Sequence, residues 1–143
     1  MPLASFKGVD AVYERSRTGG GMWKYNRNVP SEFTISWRDL TFSLKLMGFK
    51  HTGLFPEQAV NWDRMMKLIS GAGREISVLN LFGYTGAASV ACLKAGAKVC
   101  HVDSAKAMVE RAGENVRLSG LDNSGMRYII DDCFKFCQRE IRR

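Results

Sequence analysis

Apolar and polar residues change rhythm twice along the 143-residue chain. Phe33, Ile35 and Trp37, then Leu40, Phe42, Leu44 and Leu46, alternate with more polar neighbours. A period of two marks half-buried strands, and the Trp37-Arg38-Asp39-Leu40 junction reads as a hairpin turn between them. Gly48, Gly53 and Pro56 break the alternation. Over residues 56–69 the spacing becomes helical, with proline in the first turn, and Gly71-Ala72-Gly73 ends that helix as a short linker.

Beyond residue 75 a more regular pattern begins. Residues 76–82 form a short apolar strand, 87–95 a small-residue helix closed by Gly96, and 98–102 a second strand. Ser104 is placed to cap a helix running to about residue 119. Residues 126–130 form a third strand, and a third helix starts near Phe134. Strand and helix in strict alternation predict a parallel sheet with right-handed crossovers. Such sheets bury both faces and usually carry more than three strands, so the pattern predicts the first half of a doubly wound α/β fold within a longer protein.

The loop after the first of these strands, within LNLFGYTGAASV, holds Gly83-Tyr84-Thr85-Gly86. At the carboxyl end of a parallel strand this loop borders the usual ligand crevice, where glycine lets the backbone approach a ligand. A dinucleotide wants G-x-G-x-x-G, and the middle glycine is missing; a P-loop would need Gly-Lys-Ser/Thr, which is also missing. The second strand ends in Asp103, about twenty residues past the first glycine, where a carboxylate can accept from both hydroxyls of a ribose. The third ends in Asp131-Asp132-Cys133, where a carboxylate and a backbone N–H can meet an adenine edge. Three such strand tips describe an adenosine pocket without a pyrophosphate cradle, the shape of S-adenosylmethionine. Taken singly, each tip is more often a tight turn or a helix cap than a binding group.

Composition adds less. With 45% hydrophobic and 24% charged residues the chain is globular in type. No apolar run approaches the roughly 20 residues that cross a bilayer, and the start lacks a signal-peptide pattern, so no membrane association and a cytoplasmic location are expected. The formal net charge of +7 suits a phosphate-bearing partner such as RNA. Cys92, Cys100, Cys133 and Cys137 lack C-x-x-C spacing, and neither a metal nor a disulfide is expected.

VLNLFGYTGAASV, AGAKVCHVDSAKAMVERAGENVRLSGL and RYIIDDCFKFCQREIRR, in that order, resemble class I S-adenosylmethionine-dependent methyltransferases of the ribosomal-RNA large-subunit group. FKHTGLFPEQAVNWDRM is similar to the segment that precedes the first strand there and packs over the cofactor. The resemblance runs from about Trp37 to the end. It implies an α/β fold class, the N-terminal half of a Rossmann-like class I methyltransferase parallel sheet preceded by a small β-hairpin and helix region. The organisation it implies is a hairpin and cofactor-lid region over 1–75 and a partial S-adenosylmethionine-binding domain over 76–143.

Carried over residue by residue, Asn80, Phe82, Gly83, Tyr84, Thr85 and Gly86 would wrap the methionine part of the cofactor. Asp103 would hold the ribose with Ser104 beside it, Asp132 and the Cys133 backbone would read adenine, and Phe55 and Gln58 would belong to a lid. Pro56-Glu57 and Ala59 depart from the Leu-Asp and Arg of many relatives. The family's Asp-Pro-Pro-aromatic motif, from a fourth strand, does not occur in these 143 residues, so no catalytic residue is named. The implied activity is methylation of a base in ribosomal RNA. A non-catalytic cofactor-binding or scaffold module is the rival reading, with a non-RNA substrate as a further alternative. Lacking the fourth strand's pairing, the first strand of the sheet is expected to keep an open apolar edge and to favour self-association.

Overall fold

The computed structural model describes residues 8–48 and 51–143. Seven strands and four α-helices follow in the order β1 (Ala11–Arg15), β2 (Gly21–Tyr25), β3 (Phe33–Trp37), β4 (Leu40–Leu44), α1 (Ala59–Ser70), β5 (Ser77–Leu81), α2 (Ala87–Lys94), β6 (Lys98–Asp103), α3 (Lys106–Leu118), β7 (Met126–Ile130) and α4 (Cys133–Ile141). A single 3₁₀ turn, Pro56–Gln58, leads into α1. The described residues fall into two units, one of 8–33, 44–48 and 51–53, the other of Thr34–Ser43 and Leu54–Arg143.

In the first unit β1 and β2 form an antiparallel hairpin, with Tyr13 opposite Trp23. The sequence reading has no element over residues 11–25. Each strand is only five residues long, β1 puts Glu14 and Arg15 on opposite faces, and β2 is exposed at every position but Trp23, so the period of two is faint there.

The second unit holds the three-stranded parallel sheet in the order β5-β6-β7. Central β6 is buried on both faces, and its alternating side chains feed two cores. Val99 joins Cys92 and Ala97, with Met65, Ile69 and Val78 packed around them, on the α1 and α2 face. Val102 joins Cys133 and Phe136 on the α4 face. A fully buried medium or large apolar side chain contributes about 1.5–3 kcal/mol, so these layers hold the sheet between its helices. The turn from β3 to β4 places Arg38 at φ 53°. Behind it Leu40 and Phe42 are fully buried, and Trp62 of α1 meets Trp37 edge-on at 5.3 Å and Phe42 at 5.7 Å.

One polar side chain ties this packing to the loop after β5. Asn115 of α3, fully buried, accepts from the Ser43 N–H and donates to the Thr85 carbonyl, both at 2.8 Å. Each contact satisfies a backbone group that would otherwise cost about 1–3 kcal/mol to bury. The start of α3 corrects one expectation. Ser104 does not cap it: the helix begins at Lys106 after Ala105, and it is Asp103 Oδ1 that accepts from the Ala105 N–H at 2.9 Å. The chain enters the helix one residue later than the sequence suggests, with Ala105 and not Ser104 in the N-cap position.

Candidate active site

The β5–α2 loop bends sharply: Phe82, Tyr84 and Gly86 have φ of 54°, 52° and 82°. For Phe and Tyr the left-handed region costs about 1–2 kcal/mol each, so the surroundings must impose it. They do so residue by residue. The Phe82 N–H donates to Cys133 Sγ (3.1 Å), the Gly83 N–H to the Val102 carbonyl (3.0 Å) and the Tyr84 N–H to Asp103 Oδ2 (2.9 Å). These three tethers to β6 and α4 hold the strained loop in place.

Beneath the loop lies a network the sequence reading missed. In the β5–β6 register Asn80 stands opposite His101, and both side chains reach Ser89 of α2. Asn80 Nδ2 donates to Ser89 Oγ at 2.8 Å, and Ser89 Oγ lies 2.9 Å from His101 Nδ1. His101 is fully buried directly under Gly83, where an added Cβ would lie 2.3 Å from its Cε1. Gly83 is therefore required by packing, not by its φ.

Burial lowers the His101 pKa from its ordinary 6.5, against a weaker upward pull from the Asp103 carboxylate and the Tyr84 backbone. The unfolded chain thus binds a proton near pH 6.5 that the folded chain refuses, so His101 contributes stability above that pH and loses it as pH falls below. The exposed Asp39 and Asp122 and the half-buried Asp131, lowered by Lys94, Ser124 and Arg139, lose their contributions only as pH falls below their ordinary 3.8. Urea midpoints should fall between pH 7.5 and 5.5, and His101→Gln should flatten that dependence; an equal slope in both proteins would refute the assignment.

Facing the loop is a cleft of about 240 Å³. Phe55, Gln58, Asn80, Phe82, Gly83, Tyr84, Thr85 and Gly86 all line it. Phe55 and Tyr84 meet ring to ring at 5.2 Å, and Asn61 Nδ2 holds Gln58 Oε1 at 2.8 Å. Asn61, Trp62 and Met65 of α1 complete that wall. Sequence reasoning passed over these three although, with Gln58, they fall at the i, i+3, i+4, i+7 spacing of one helix face.

The other four residues singled out from the sequence lie outside this cleft, along the carboxyl ends of β6 and β7. Asp103 is joined to the loop through Tyr84, and its carbonyl accepts from the Asp131 N–H at 3.0 Å. Ser104 is exposed just beyond. Asp132 caps α4 by accepting from the Lys135 N–H at 2.9 Å. Buried Cys133 places its sulfur between the Phe82 N–H and the Val102 carbonyl. Of the remaining thiols, Cys92 is buried and its pKa is pushed up to about 11, which keeps it protonated and unreactive.

The model of the S-adenosylmethionine-dependent methyltransferases matches residues 12–142. The chain belongs to that family. Among curated methyltransferases, the ribosomal RNA large subunit methyltransferase K/L of Shewanella frigidimarina is 38% identical over 96 residues, which is 66% of this chain and 13% of the relative. Among solved structures, the SAM-dependent methyltransferase from Agrobacterium tumefaciens superposes with a TM-score of 0.89 at 38% identity, covering 100% of this chain and 46% of that one. A putative methyltransferase complexed with SAH superposes at 0.76 with 27% identity, covering 93% and 34%. The methyltransferase chain described here thus spans 13% of the first curated relative and less than half of either solved structure. Its three-stranded sheet with preceding hairpins is the α/β, Rossmann-like architecture of these neighbours.

Proposed function

We propose that this chain is the cofactor-binding part of an enzyme that transfers a methyl group from S-adenosylmethionine to a base in ribosomal RNA. The observation that carries the reading is the hydrogen bond from the Tyr84 N–H to Asp103 Oδ2. It ties the glycine loop of β5 to the acidic tip of β6, so a ligand lying along the loop would extend out of the cleft to Asp103. The methionine end would lie against Asn80 and the Phe82–Gly86 loop under Phe55 and Gln58. Each Asp103 oxygen accepts one backbone N–H and keeps a lone pair for a ribose hydroxyl. Asp132 and the Cys133 N–H would meet adenine, with Ser104 at the rim.

Bound there, S-adenosylmethionine supplies a methyl group on a positively charged sulfur. The loop's part is orientation: backbone held in an uncommon conformation before binding presents one geometry, which is the main lever for an in-line transfer. The RNA substrate is supported by the printed name of the curated relative and by the net charge of +7. With such a substrate the enzyme would work in the cytoplasm, and among the described residues no helix is long and apolar enough to cross a membrane.

Calorimetry of the chain with S-adenosylmethionine should give binding at one site. The full-length protein should move label from methyl-labelled cofactor into ribosomal RNA, and label found only in protein would refute the RNA assignment. We also expect self-association. Among the described residues β5 pairs with β6 alone, and Leu79 on that edge strand is 51% exposed. Sedimentation should show mass rising with concentration, less so in Leu79→Lys; a monomer at every concentration would refute it.

A further inference from the structure

The first unit carries a second cleft, of about 360 Å³, lined by Asp10, Trp23, Asn28, Pro30, Phe33 and Leu46 among others. That volume falls in the range of small-molecule sites. Its aromatic wall is fixed: the Trp23 indole meets Tyr13 edge-on at 5.4 Å and donates from Nε1 to the Met47 carbonyl at 2.8 Å. The Asp10 carboxylate is neutralised by Arg27 at 3.0 Å. Asn28 is exposed, and its amide makes no hydrogen bond among the described residues, so both a donor and an acceptor are free at the cleft.

Charge on the same hairpin is uneven. Lys24 pairs with Glu14 at 2.7 Å and Lys45 with Glu32 at 3.3 Å. Arg15 and Arg17 are exposed and have no carboxylate partner among the described residues. They flank a turn ordered by its own bonds, Ser16 Oγ donating to the Gly19 carbonyl at 2.8 Å and the Ser16 N–H to the Gly20 carbonyl at 3.1 Å. From Ala11 at the cleft to Arg15 is four residues of strand, roughly 13 Å.

We propose that this unit binds single-stranded RNA, one unstacked base entering the cleft against Trp23 and Phe33 with Asn28 at its polar edge, while Arg15 and Arg17 take phosphates of the same strand. The proposal rests on the RNA-substrate reading above and adds where the strand is held. A flat base with donors and acceptors on its rim matches aromatic walls beside an amide that can do both. An anionic membrane surface would call for a cluster of four to eight basic residues, against two uncompensated arginines among the described residues of this hairpin.

The test uses the whole chain, a labelled single-stranded oligoribonucleotide and salt between 50 and 200 mM. Neutralising two single-strand phosphate contacts should make the slope of log affinity against log salt shallower by about 1.4 in Arg15→Gln/Arg17→Gln. Asn28→Ala should weaken binding about tenfold at every salt with the slope unchanged. Tryptophan emission should be quenched by RNA, and the quench should shrink in Trp23→Phe, which keeps an aromatic ring in place. All four positions are remote in sequence from the cofactor loop, so S-adenosylmethionine titrations of the variants should match the parent. An unchanged slope, an unchanged Asn28→Ala affinity, or equal binding of duplex RNA overturns the proposal. If the full-length protein still methylates RNA in that event, the RNA reading stands and only the placement of the strand fails. If it methylates none, both fail.

Discussion

Gly86→Ala should destabilise the second unit by about 3 kcal/mol. Two costs add. At φ 82° an alanine is strained by about 1–2 kcal/mol, and its Cβ would lie 2.6 Å from the Cβ of Ala112, forcing α3 away from the loop at an overpacking cost of about 1–3 kcal/mol. Gly96→Ala separates the two, since Gly96 has φ 95° and nothing within 4 Å of an added Cβ. Urea denaturation should give Gly96→Ala about 1 kcal/mol and Gly86→Ala clearly more, with a melting temperature about 10 °C lower than the parent's. Equal losses in the two variants would show that contact with α3 is not what excludes a side chain at Gly86.

The second large effect falls on binding. If Asp103 holds the ribose, Asp103→Ala removes both the acceptors for the ligand and the anchor of the Tyr84 N–H. Hydrogen bonds to an ionised group are worth about 1.5–3 kcal/mol, so affinity for S-adenosylmethionine should drop about 100-fold. Asp103→Asn keeps one acceptor oxygen and should lose about tenfold. Calorimetry that finds Asp103→Ala within threefold of the parent would remove Asp103 from the cofactor site. A parallel urea titration distinguishes loss of the loop from loss of the ligand contact. The Tyr84 amide keeps neighbours through Gly83 and Thr85, so stability should fall by only about 1 kcal/mol.

Within the described residues, Phe82 is 77% exposed and Cys133 fully inside, yet both were singled out from the sequence for the same pocket. The structure gives them different duties. Cys133 takes the Phe82 N–H on its sulfur and so helps hold the strained loop, a task no spacing rule announces. Asp132 likewise has a structural duty as the cap of α4 that accompanies its proposed contact with adenine. Sequence motifs pick out positions, and packing decides how many tasks each one carries.

The sequence by itself determined the order of strands and helices in the second unit, the hairpin of β3 and β4, and the glycine loop with acidic residues at the next two strand tips. Those features depend on local periodicity and on residue chemistry at element ends, and both are written in consecutive residues. It also placed Phe55 and Gln58 near that loop through the family resemblance alone. Only the tertiary structure decided the rest. The β1–β2 hairpin emerges because Tyr13 and Trp23 find each other across ten residues despite a weak pattern in either strand. α1 becomes a wall of the cleft because its Asn61, Trp62 and Met65 face, continued by Gln58 of the preceding turn, meets the loop. Gly83 is irreplaceable because the β5–β6 register sets a buried histidine eighteen residues away directly beneath it. Close approach between distant residues depends on register and packing density, and neither is a local property of the chain.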